Sequence, residues 1–135
     1  MSACVLDTDV LIAALDRRDA HHREAARTLN DLLDRKVSLL LSLVNYAETL
    51  VRPAEDERTL RTAIDAIATL GIGLVAPTPT IARDAARYRT LNVSLADGFA
   101  MATAKAHETT LATFDRRVRR ALLEAGIVLD PDLEN

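Results

Sequence analysis

The chain has 135 residues, of which 49% are hydrophobic and 27% charged, with a formal net charge of −3. That length and apolar content suit a single domain, residues 1–135, with one real core, and they exclude a disordered polyelectrolyte. The acidic balance excludes a uniformly basic nucleic-acid binder.

Short apolar runs and helical patterns alternate along the sequence. Residues 3–6 read as a first strand, and 10–15 continue apolar after Asp7. Within 21–35, Ala25, Leu29, Leu32 and Leu33 recur at helical spacing. Residues 37–41 read as a second strand. A helix over 43–51 follows and stops near Pro53, because a residue before proline is disfavoured in the α conformation. An amphipathic helix over 55–70 ends near Gly71, a third strand covers 73–76, and another helix covers 80–91. The segment 94–106 has almost no polar face, which marks a buried helix. Residues 110–112 form a fourth strand, 116–125 a last helix, and 127–129 a candidate fifth strand. No linker is indicated, and no disordered tail beyond 130–135. This order predicts an α/β fold, a three-layer α/β/α sandwich around a parallel sheet of four to five strands.

No apolar run approaches the roughly 20 residues that span a bilayer. The first twenty residues carry Asp7, Asp9, Asp16 and Asp19 with no basic stretch before them, which argues against a secretory signal. Cys4 is the lone cysteine, so no internal disulfide forms, and core filling is its expected role. A cytoplasmic setting without membrane contact is expected.

Four acids stand out, each with a plain structural explanation. Asp7 ends the first strand, where ligand sites of open parallel sheets lie, but N-capping accounts for it or for Asp9 equally well. Glu48 lies at the edge of an apolar helical stripe, where a solvated flank residue is ordinary. Asp97 stands three residues after Ser94 and completes a capping box. Asp115 follows the fourth strand and fits the N-cap of the last helix. Three of the four nevertheless fall at strand-to-helix switches or first helical turns, which share one edge of a parallel sheet. Converging carboxylates need a compensating cation, and an oxygen-only donor set points to Mg²⁺ or Mn²⁺. His21, His22 and His107 read as surface residues.

Four ordered blocks carry a resemblance: Val5-Leu6-Asp7-Thr8-Asp9-Val10-Leu11-Ile12, Leu41-Ser42 through Ala47-Glu48-Thr49-Leu50, Ser94-Leu95-Ala96-Asp97-Gly98-Phe99-Ala100-Met101-Ala102-Thr103-Ala104, and Leu111-Ala112-Thr113-Phe114-Asp115. Over nearly its whole length the chain resembles the PIN-domain family, in particular VapC toxins of toxin–antitoxin pairs. The resemblance implies a metal-dependent endoribonuclease that cleaves structured RNA, tRNA or rRNA, arresting translation and growth. It implies Asp7, Glu48, Asp97 and Asp115 as the catalytic acids, with Asp7, Asp97 and Asp115 as metal ligands and Glu48 acting through water. Asp9 and Ser42 match small polar positions of the family and take supporting roles, with a more direct role left open for Asp9 because it is acidic, and Thr113 takes a hydrogen-bonding role behind the ligands. A VapB-type antitoxin, a homodimer, and a larger assembly held on operator DNA through the antitoxin are the implied partners. All the basic residues except Lys36 and Lys105 are arginines, and Arg116, Arg117, Arg119 and Arg120 crowd beside Asp115. They are candidates for contact with the RNA backbone, although a solvated helix face explains them equally well.

Two other readings compete. Asp7-Thr8-Asp9-Val10 after a strand also fits the nucleophile motif of haloacid-dehalogenase-type phosphotransferases, with Ser42 as a second motif; against it, neither Lys36 nor Lys105 has a convincing context. A noncatalytic binding protein that keeps the fold is the other alternative, and retention of all four acids weighs against it.

Overall fold

The structure, a computed structural model, describes residues 2–133. The strands β1 (Ala3–Leu6), β2 (Ser38–Ser42), β3 (Gly73–Val75) and β4 (Thr110–Ala112) form one wholly parallel sheet in the order β3-β2-β1-β4. In its register Cys4 pairs with Leu39 on one side and Thr110 on the other, and Leu40 pairs with Gly73. The strand β1 lies between β2 and β4; the chain runs from β1 to β2 and β3 on one side and then crosses to β4 on the other, so the strand order reverses between β1 and β4. This is the switch point at which parallel sheets open a crevice.

The helices are α1 (Thr8–Leu15), α2 (His22–Asp34), α3 (Leu43–Leu50), α4 (Glu57–Thr69), α5 (Pro79–Tyr88), α6 (Leu95–Ala106) and α7 (Arg116–Ala125). They cover both faces because side chains alternate along a strand. Cys4, Leu6, Leu39 and Leu41 enter a core with α1, α2 and Ile67 of α4. Val5 and Leu111 enter the other core, filled by α5, α6 and α7. Helices on both faces of a parallel sheet make the expected three-layer sandwich.

The expectation of a buried helix over 94–106 holds for the middle of α6, where Gly98 and 100–104 are buried. Leu95 and Lys105 at its ends are exposed. Gly98 permits the closest packing, since a Cβ there would lie 2.7 Å from the Ala85 carbonyl oxygen of α5.

Several boundaries differ from expectation for identifiable reasons. Helix α4 starts at Glu57 because Asp56 accepts a hydrogen bond from Thr59 N–H at 3.0 Å, after a 3-10 turn over Pro53–Glu55. The helix expected over 80–91 ends at Tyr88 and tightens into a 3-10 turn over Arg89–Leu91, which Asn92 stops in the left-handed conformation at φ 64°. The candidate fifth strand is reduced to one bridge between Leu111 and Leu129, so the sheet has four strands among the described residues. The terminal segment is not a loose tail as far as Leu133: a 3-10 turn over Pro131–Leu133 buries Leu133 completely, and Asp130 is also buried. Glu134 and Asn135 lie outside the described residues. His21 and His107 are exposed as expected, but His22 is half-buried, with Nδ1 2.8 Å from the Ala13 carbonyl oxygen. Cys4 is fully buried, which pushes its thiol up to about 12 and suits the expected core role.

Candidate active site

The carboxyl ends of β1, β2 and β4 deliver three chain reversals to the same edge of the sheet. Asp7 follows β1 at once, and its N–H extends the sheet ladder to the Ala112 carbonyl at 2.9 Å. Its extended backbone then turns into α1, whose N-cap it forms with Oδ1 accepting from Thr8 N–H at 2.9 Å. Asp9 stands in the first turn of the same helix. Ser42 ends β2 and caps α3, its hydroxyl accepting from Val44 N–H at 3.2 Å, and Glu48 lies farther along that helix. Asp97 stands in the first turn of α6, where the capping box with Ser94 is complete in both directions. Asp115 caps α7 by accepting from Arg117 N–H at 2.8 Å and Val118 N–H at 3.3 Å. Capping therefore applies to Asp7, Asp97 and Asp115, and it is the device that points each of them at this edge.

Asp7, Asp9, Glu48, Asp97 and Asp115, with Thr8 and Ile12, line one open cleft of about 180 Å³. The four acids picked out by motif thus come together, and Asp9 joins them as a lining residue. Ser42 does not line the cleft; its supporting role is the α3 cap. Neither Lys36 nor Lys105 reaches it, which removes the lysine that a phosphoaspartate enzyme requires.

The turn 113–115 is fixed from several sides. The buried Thr113 hydroxyl donates to Asp7 Oδ2 at 2.8 Å and accepts from Asp115 N–H at 3.1 Å. Phe114 N–H donates to Asp9 Oδ2 at 3.0 Å, and the His21 ring stacks on Phe114 with centroids 4.7 Å apart. From α7, Arg119 Nε donates to the Thr113 carbonyl at 3.1 Å. One member of the arginine cluster is therefore spent on holding the turn. Sequence reasoning also missed Asn45, which is wholly buried on α3 one turn before Glu48. Its amide donates to Thr8 Oγ1 at 3.0 Å and to the Ala96 carbonyl at 3.2 Å, tying together the three helices that carry Asp9, Glu48 and Asp97. A buried Asn in a largely apolar helix was the available signal, since such a side chain needs partners.

The electrostatics are those of anions lacking a counterion. Burial pushes the Asp7 carboxyl well above its ordinary 3.8, reinforced by the charges of Asp9 and Asp97, and two hydrogen bonds only partly oppose this. Asp9 is raised to about 6, chiefly by burial, with Asp115 and Asp97 adding repulsion. Asp97 is raised by burial, and by Asp115 and Glu48. Among the described residues, Asp9 Oδ1 is buried with no partner at good hydrogen-bond geometry. No basic side chain among the described residues lines the cleft.

This donor set fits a hard divalent cation in chemistry: oxygen only, several negative charges, and one buried carboxylate oxygen awaiting a positive partner. The inner shell is not closed, because among the described residues no group of three acidic, histidine or cysteine side chains is arranged to hold an ion. Asp7, Asp97 and Asp115 would have to draw inward around one. No described helix is long and apolar enough to cross a membrane.

A family model described as PIN domain matches residues 4–122. Several solved structures share the fold. FitAcB from Neisseria gonorrhoeae superposes with a TM-score of 0.72 at 21% identity, covering 98% of this chain and 99% of that one. VapBC2 from Rickettsia felis, bound to a DNA fragment from its promoter, gives 0.74 at 15% identity over 95% of this chain and 97% of that one. VapC20 from Mycobacterium tuberculosis, a sarcin-ricin loop cleaving toxin, gives 0.72 at 19% identity over 93% and 97%. No curated protein matches the sequence.

Proposed function

The chain belongs to the PIN-domain family, and on that premise we propose that it is a divalent-metal-dependent endoribonuclease acting as the toxin of a VapBC-type pair. The observation that carries this reading is the cleft of five carboxylates with no lining cation, in which burial and mutual charge raise Asp7, Asp9 and Asp97. Asp7, Asp97 and Asp115 are the residues that would hold Mg²⁺ or Mn²⁺. The ion, when bound, neutralises charge developing on the scissile phosphate and acidifies water.

The chain's own groups do the positioning. Thr113 orients Asp7 through its hydroxyl, and Asp9 anchors the amide that leads into Asp115. Glu48, exposed beside the cleft, is assigned the proton of the attacking water. Attack by water breaks the P–O3′ bond, so the expected ends are a 5′-phosphate and a 3′-hydroxyl, and the ribose 2′-hydroxyl takes no part.

Likeness to toxins solved with their antitoxins supports a VapB-type antitoxin as partner, with a homodimer and a larger assembly on operator DNA. Structured RNA, tRNA or rRNA, is the proposed substrate, in keeping with the sarcin-ricin loop cut by a structural relative. Such a role places the protein in the cytoplasm.

The test is cleavage of total RNA by purified protein with Mg²⁺ or Mn²⁺, with EDTA, and with Asp97→Asn. Cleavage is expected only for the wild type with metal, with circular dichroism showing the variant folded. Undiminished cleavage after exhaustive chelation would sink the metal mechanism. Normal growth of cells that express active nuclease would remove the toxin role alone.

A further inference from the structure

A second cleft, of about 240 Å³, is lined by Leu91, Asn92, Arg117, Arg120, Ala121 and Glu124. Its α7 wall is a stripe at i, i+3, i+4 and i+7, the spacing that puts residues on one helix face. Both walls lead back to the carboxylates: Arg117 is two residues past Asp115, and Asn92 is two before Ser94, the partner of Asp97. We infer that Arg117 and Arg120 form a phosphodiester-binding subsite for RNA entering the acidic cleft, an assignment that rests on the ribonuclease reading.

The arginine cluster divides according to what each member does. Arg119 is committed to the Thr113 carbonyl, and Arg116 is exposed and does not line the second cleft. Arg117 and Arg120 are exposed, and among the described residues neither makes an ion pair, unlike Arg18, Arg35 and Arg87. Two unspent guanidinium groups one helical turn apart suit successive oxygens of a polyanion. The floor beneath them is the buried Ala121, small enough to let a backbone approach. Glu124 lies two turns from Arg117 and makes the far end unfavourable for phosphate. The attractive part of the cleft is therefore the end next to Asp115. A subsite there also resolves a conflict, since an acidic chain whose active cleft holds five carboxylates repels nucleic acid unless cations nearby guide it.

Phosphate contacts carry no base information, so the effect should be uniform across sequences. The probes are two labelled structured RNAs of different sequence, total tRNA and a stem-loop fragment of ribosomal RNA. Binding is measured in an Asp97→Asn background at several salt concentrations, and steady-state cleavage in the active protein. Arg117→Gln with Arg120→Gln should weaken both RNAs by about tenfold, lower the salt slope by about 1.4, and raise KM while leaving kcat within about twofold. The control pair Arg58→Gln with Arg61→Gln removes equal charge from exposed α4 positions and should change little. An equal loss in the control pair, or unchanged KM and salt slope in the test pair, overturns the subsite while wild-type cleavage still supports the nuclease. Wild-type protein that neither binds nor cuts RNA overturns the parent reading and the subsite with it.

Discussion

Asp9 concentrates the cost of building this site. One oxygen holds the Phe114 amide, the other is buried with no partner at good hydrogen-bond geometry among the described residues, and the carboxyl is raised from 3.8 to about 6 mainly by burial. Because the folded form holds its proton more tightly than the unfolded chain, folding takes up protons between those values. The stability associated with protonated Asp9 is therefore fully present below about pH 4 and lost as pH rises through about 6. The difference is about 3 kcal/mol when no metal is bound. Asp9→Asn keeps an oxygen for Phe114 N–H and removes the titration. In urea unfolding with EDTA, the variant is expected to be more stable than wild type at pH 7 by up to about 3 kcal/mol, and nearly equal to it at pH 4. The same difference at both pH values would show that Asp9 does not titrate in this window.

The helices and strands show what a sequence can and cannot disclose about such a site. Asp7, Asp97 and Asp115 were legible because each stands where an apolar strand or a cap meets a helix, and the parallel sheet collects those places at one edge. Glu48 was legible only through the family motif, since the flank of a helical stripe looks alike whether it faces solvent or a cleft. Asn45 was not recognised, and Arg119 was read as an RNA contact and not as a brace of the 113–115 turn, because their partners, Thr8, Ala96 and Thr113, are set by tertiary packing that local pattern does not encode. Residues 127–129 pattern as a strand, yet they keep only a single bridge. Gly98 is a similar case: in a helix it reads as a defect, and replacing it with alanine should gain about 1 kcal/mol of intrinsic propensity. The α5–α6 contact reverses that expectation, because the new Cβ would stand 2.7 Å from the Ala85 carbonyl oxygen, a backbone atom that cannot swing aside. Overpacking of this kind costs about 1–3 kcal/mol. Gly98→Ala is expected to lower the melting temperature despite its better propensity, and a rise would mean that the two helices can separate freely.

Across the whole molecule, the carboxylates of the cleft come from α1, α3, α6 and the turn before α7, so an ion held among them would cross-link elements far apart in sequence. The metal-free protein at neutral pH carries their repulsion instead, with Asp7, Asp9 and Asp97 all raised. A cation that binds the folded site alone stabilises by mass action, by about 2.7 kcal/mol at a hundredfold excess over its dissociation constant, or about 10 °C for a chain of this size. Asp97→Asn removes one repelling charge and one ligand together, while its side-chain oxygen can still accept from Ser94 N–H. Without metal at pH 7 the variant is expected to melt at or above the wild type. With saturating Mn²⁺ the wild type should rise by about 10 °C and the variant by much less. Four melting curves decide among the roles of this residue. Equal metal-induced shifts would remove Asp97 from the ligand set, and a variant much less stable without metal would show that its capping bonds to Ser94 outweigh the repulsion it relieves.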